Sequence, residues 1–121
     1  MKITDITVNL LTTGRTLVRV FTDEGVNGIA DGGRSVAITQ AYLDEVVKPM
    51  LVGKDALQPT RHWEALMLGD GEVATRLPPQ IVGSIDIALW DIMGKAAGMP
   101  LSALMGGAAR TDIPLYWSQG N

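Results

Sequence analysis

The hydrophobic repeat changes once along this 121-residue chain, and that change divides it into a β part and an α part. Up to Asp31 the apolar residues recur every second position; from Val36 they recur at helical spacing. Lys2–Asn9 alternates with Ile3, Ile6 and Val8 apolar, and the mismatch at Asp5 predicts a bulge or register change. Leu17–Thr22 is β-branched and aromatic and reads as a strand. Between them, Leu10–Thr16 carries Thr12, Thr13, Gly14 and Arg15, the composition of a loop. Asp23–Gly28 supplies a hairpin turn and Gly28–Asp31 its return strand, which makes a three-stranded antiparallel meander.

After Gly32-Gly33-Arg34, Ser35 is placed to cap a helix whose face carries Val36, Tyr42, Leu43, Val46 and Val47, with Pro49 marking its end. A second helix is expected from Pro59-Thr60, with Trp63, Leu66 and Met67 at i, i+3 and i+4. Gly69-Asp70-Gly71-Glu72 reads as a loop. Pro78-Pro79 opens the longest helix, with Ile81, Ile85, Leu89, Ile92 and Met93 on one face. Gly98 followed by Pro100 stops it. A short helix over Leu101–Met105 is closed by Gly106-Gly107, and Ile113–Ser118 reads as one more strand. The fold class is therefore α+β, a meander followed by a bundle of helices. A closing strand with nothing after it to pair with leads us to expect a cut chain.

Composition removes several functions. Hydrophobic residues make up 46% of the chain and the formal net charge is −3, which fits a globular domain. Lys and Arg are scattered, so no basic face for nucleic acid and no polybasic membrane patch is expected. The N-terminus lacks a signal-peptide core, no apolar run is long enough to span a bilayer, and cysteine is absent, all of which fit a cytoplasmic protein.

The residues that usually carry chemistry are sparse. His62 is the only histidine, which excludes a multi-histidine metal site, and its expected role is at the surface or in a cap. Asp86 and Asp91 fall on different faces of the long helix and read as structural hydrogen-bond or ion-pair partners, with an interface as the alternative. Glu45 and Lys48 read as a solvated pair. Gly32-Gly33 precedes a helix, where backbone amides serve either a bound anion or plain helix entry, but no P-loop or dinucleotide fingerprint surrounds them. No serine sits in a nucleophile elbow. Catalysis by this chain alone is not expected.

Two blocks carry a resemblance. Val18–Asp31 (VRVFTDEGVNGIAD) and, more specifically, Ser84–Leu101 (SIDIALWDIMGKAAGMPL) with Leu104-Met105-Gly106-Gly107 resemble the N-terminal domain of the enolase superfamily, in its mandelate racemase and muconate lactonizing enzyme branch. The order of elements matches as well. Many members have glutamate after the hairpin, as Gly-x-Gly-Glu; here Gly28-Ile29-Ala30-Asp31-Gly32 carries aspartate, which resembles the acid-sugar dehydratases more than the racemases.

The resemblance implies a two-part enzyme in which residues 1–112 cap a β/α barrel and 113–121 begin it; a whole barrel needs roughly 250 residues. It implies proton abstraction α to a carboxylate, with Mg²⁺ held by the barrel and no metal ligand or catalytic residue in this chain. Dehydration of an acid sugar is the activity expected of the intact protein. A racemase, epimerase or cycloisomerase on the same scaffold, and a stand-alone structural module, are the alternatives. The partners implied are a small carboxylate or acid-sugar substrate, the protein's own barrel and further copies of itself in a homo-oligomer. By the same resemblance two loops close over the barrel mouth, Leu10–Thr16 and Gly32–Ser35. Their candidate substrate-facing residues are Arg15 and Arg34, with Gly14 and Ser35 shaping the loops.

Overall fold

A computed structural model describes residues 1–69 and 77–118. Three strands, β1 (Ile3–Leu10), β2 (Thr16–Thr22) and β3 (Gly28–Asp31), form an antiparallel sheet in the order β1-β2-β3. The expected irregularity at Asp5 is present: Ile3 opposes Thr22 and Asp5 opposes Phe21, a register shift. Its effect is to let Ile3 and Ile6, three residues apart, both point inward, with Val8 next in line. Opposite them lie Val18 and Val20 of β2, then Ala30 and Gly28 of β3, so one face of the sheet is apolar across all three strands. The other face is open and carries Arg19, whose guanidinium carbon lies 5.7 Å from the centre of the Phe21 ring.

The helices cover the apolar face. Ser35 caps α1 (Val36–Tyr42), its hydroxyl accepting from the amide of Ile38 at 3.4 Å. Pro49 does not end this helix, against the expectation. The chain passes from α1 through a π-turn (Leu43–Val47) into α2 (Lys48–Leu51), and Pro49 lies in the first turn of α2. A proline ring crowds the carbonyl four residues before it and removes an amide donor; the wider π-turn, with its i→i+5 bonding, accommodates both. Lys48 then pairs with Asp44 at 2.8 Å and with Asp5 of the β1 bulge at 3.2 Å, not with Glu45, which is exposed. Lys48 holds the Asp44 carboxyl below the usual carboxylate range.

α3 (Pro59–Leu68) and α4 (Pro79–Ala97) pack on each other, and α4 lies across β3 and β2. α4 comes so close to β3 that a Cβ on Gly28 would sit 1.9 Å from the Ala88 carbonyl oxygen. Ile81, Ile85, Leu89 and Ile92 are buried as expected and Met93 half-buried, but Val82, Ser84 and Ala88 are buried too. Because α4 touches the sheet on one side and α3 on the other, its hidden arc is wider than a single stripe. On α3 the buried face is Pro59, His62 and Leu66, while Trp63 and Met67 are each 41% exposed. Gly98 ends α4 in the left-handed region at φ 63°. α5 (Leu101–Leu104) follows, closed by Gly106 and Gly107 with φ of 100° and 93°.

Ile113–Ser118 is not a strand. It has no ladder partner among the described residues, and Leu115, Tyr116 and Trp117 are 93%, 89% and 87% exposed. β propensity without a neighbouring edge leaves every backbone amide and carbonyl to solvent, so no sheet forms. The expected loop at Gly69-Asp70-Gly71-Glu72 lies, apart from Gly69, outside the described residues. Among the described residues no helix is long and apolar enough to cross a membrane.

Candidate capping edge

The two loops expected to face substrate meet at one end of the sheet. Residues 11–15 form a tight turn in which the Leu11 amide donates to the Arg15 carbonyl at 2.7 Å and the Gly14 amide to the Leu11 carbonyl at 2.9 Å. Gly14 sits at φ 79°, so a side chain there would be strained. The turn delivers Thr16, whose amide neighbourhood joins the second loop: the Gly32 amide donates to the Thr16 carbonyl at 3.0 Å. The Thr16 hydroxyl donates to the Gly33 carbonyl, and from the far side the Thr39 hydroxyl of α1 donates to the Gly32 carbonyl at 2.8 Å. Gly32 has no room for a side chain, since an added Cβ would lie 2.9 Å from the Thr16 hydroxyl and 3.1 Å from a Val8 methyl.

Asp31, at the end of β3, is the residue common to both loops. One carboxylate oxygen accepts from the Gly33 amide at 2.7 Å and the other lies 3.8 Å from the Arg15 guanidinium. Its carbonyl accepts from the Ser84 hydroxyl of α4 at 2.6 Å. Arg15 remains exposed, its side chain at 79%. Arg34 is exposed and makes no hydrogen bond or ion pair with another described residue. Beside it a cleft of about 130 Å³ is lined by Gly33, Arg34, Ser35, Tyr42 and Gln80. Ligand pockets usually hold about 300–1,000 Å³, so the cleft suits one wall of a site rather than a whole one.

Arg15, Gly14, Arg34 and Ser35 are thus on one edge, with the two glycine-bearing turns shaping it and Ser35 spent on the α1 cap. Of the residues that stitch the edge, Asp31 was noted in the sequence only as the aspartate standing where many relatives have glutamate, and Thr16, Thr39 and Ser84 were not singled out. A hydroxyl at a strand end and an Asp two residues before a glycine amide are the signals that point to them.

Acid–base and metal chemistry have no equivalent concentration. Among the described residues no three of His, Cys, Asp or Glu come together. The described residues do not fit a Mg²⁺ site. His62 is buried rather than at the surface, and its Nε2 meets the Asp55 carbonyl at 2.7 Å. This ties α3 to the end of the segment after α2. Asp91 accepts from the Ile29 amide at 3.0 Å and from Lys95 at 2.6 Å, and Lys95 also donates to the Asn27 carbonyl at 2.8 Å. That pair clips α4 to the hairpin, the structural role expected of it. Asp86 is half-buried, and burial pushes its carboxyl up against the opposing hydrogen bond from Trp90.

Residues 6–106 match the family model of the mandelate racemase / muconate lactonizing enzyme N-terminal domain. The chain is 39% identical to the D-galactonate dehydratase family member ManD of Chromohalobacter salexigens, over 96% of this chain and 30% of that one. It is 38% identical to a D-mannonate dehydratase of a Sphingomonas species, over 95% of this chain and 30% of that one. Among solved structures, an enolase from Pantoea ananatis with bound D-gluconate and Mg superposes with a TM-score of 0.73 at 29% identity, covering 90% of this chain and 28% of that chain. The chain therefore spans about a third or less of these relatives. With the sheet, the helices and both sequence blocks in agreement, this chain belongs to the mandelate racemase / muconate lactonizing enzyme family of the enolase superfamily, as its N-terminal domain.

Proposed function

We propose that this chain is the capping domain of an acid-sugar dehydratase, in which residues 113–121 lead into a β/α barrel. Arg15 and Arg34 face the carboxylate end of the substrate. The observation that carries the reading is the meeting of two arginine-bearing turns at one edge beside a cleft too small to hold a ligand alone. A guanidinium offers planar paired donors that suit a carboxylate or adjacent hydroxyls, and the ordered turns limit the entropy lost on binding. Closing this edge over a barrel mouth excludes water from an anion, which strengthens each charged hydrogen bond. The relatives' names support sugar acids as the substrate class, and the Pantoea structure supports Mg²⁺ as the metal, held by the barrel and outside this chain. A cytoplasmic homo-oligomer fits the reading, the absence of cysteine being its support for the compartment.

In this reaction class a proton leaves C2, a hydroxyl leaves C3 as water, and the enol ketonises to a 2-keto-3-deoxy acid. The direct test assays the domain joined to its barrel with Mg²⁺ and D-gluconate, D-galactonate or D-mannonate, following the keto acid. Keto acid from at least one sugar acid is expected, and none from the 121-residue chain alone. Racemisation or cycloisomerisation without water loss would overturn the dehydratase reading.

A further inference from the structure

Resting on that reading, we propose that Asp31 is a positioning residue whose carboxylate holds Arg15 of one capping loop against the turn that carries Arg34, so that the Arg15 guanidinium is oriented for an anionic group bound at this edge. Asp31 is fixed at two points. Its carbonyl is held by the Ser84 hydroxyl at 2.6 Å and one carboxylate oxygen by the Gly33 amide at 2.7 Å. The second oxygen is thereby turned toward Arg15, which it faces at 3.8 Å. That separation is beyond hydrogen-bond range, so the contact is a Coulomb tether between two largely exposed groups. It orients the guanidinium without consuming its donors. Arginine has five N–H donors, and one end directed at Asp31 leaves the others for a ligand. The Gly33 amide held by the same carboxylate belongs to the loop that carries Arg34, so one side chain contacts both turns.

The tether is tested without any substrate, by following the Arg15 Nε–Hε resonance of the ¹⁵N-labelled chain. The signal should be displaced from that of free arginine and return toward it as NaCl rises to about 1 M, where the screening length falls to roughly 3 Å. Asp31→Asn keeps an oxygen for the Gly33 amide and removes the charge. It should give the free-arginine signal at low salt with the Gly33 amide unmoved, and Asp31→Glu should restore part of the displacement. A salt-independent Arg15 signal in the parent, or an unchanged one in Asp31→Asn, overturns the proposal. The salt titration needs no variant, so a folding defect cannot hide the answer.

With the barrel attached, Asp31→Asn should raise KM for the sugar acid by roughly threefold to tenfold with kcat retained. An unchanged KM overturns the positioning role. If Arg15→Ala also leaves KM unchanged, the failure belongs to the capping reading instead.

Discussion

Asp86 and Asp91 show how the same residue type is used in opposite ways five positions apart. Asp91 is matched by the Ile29 amide and Lys95, and it locks α4 to the hairpin. Asp86 is half-buried with a raised pKa, caused first by desolvation, and only the Trp90 hydrogen bond opposes this. A carboxyl whose folded pKa is raised binds its proton more tightly in the folded state than in the unfolded one. Stability is then lost as pH rises through the window between the two values, and the loss persists above it. Asp86→Asn should therefore raise the Tm of the 121-residue chain near neutral pH and change it little at about pH 3, by thermal unfolding at both conditions. An equal shift at both would show that desolvation is not the cause. Residue roles were less legible: Gly14, Arg15, Arg34 and Ser35 were singled out only through the family resemblance, and the loop character of Leu10–Thr16 followed from composition. The burial of His62 and the stitching by Thr16, Thr39 and Ser84 did not, because each depends on a partner far away in sequence.

The elements were clearer in the sequence than their ends. The alternation around Asp5 foretold the bulge, since Ile3 and Ile6 can share a face only if the register shifts between them. Pro49 misled because a proline is an end signal for a regular α-helix, and the π-turn before it removes the conflict. On α3 the choice of Trp63 and Met67 followed hydrophobicity, whereas packing on α4 selected the face of Pro59, His62 and Leu66. α4 is the central element, touching both sheet and α3, and Leu89 on it is 0% exposed. Leu89→Ala should cost about 2–5 kcal/mol in denaturant unfolding, from lost transfer energy plus a residual cavity. A loss below about 1 kcal/mol, the scale of a typical surface change, would mean that α4 is not the core helix described.

At the scale of the molecule, the apolar face of one sheet is closed by helices, while Ile113–Trp117 stays outside that core with its large side chains in solvent. Hydrogen exchange on the isolated chain should find β2 and α4 strongly protected and the Leu115–Trp117 amides near unprotected rates; concentration-independent protection there would give the segment a home inside this chain. The sequence pattern led us to expect a strand in that segment, but a pattern cannot supply a neighbouring edge, and an edge is what makes a strand. The same limit applies to function: the geometry of the two turns can be read from this chain, and the substrate proposed to lie against them cannot. The decisive measurement is kcat/KM for an accepted sugar acid with Arg15→Ala and Arg34→Ala, made in the domain joined to its barrel. Loss of a charged hydrogen bond of about 1.5–3 kcal/mol predicts a fall of roughly tenfold to a hundredfold or somewhat more, with Mg²⁺ affinity unchanged. Parental kcat/KM in both variants would contradict the account.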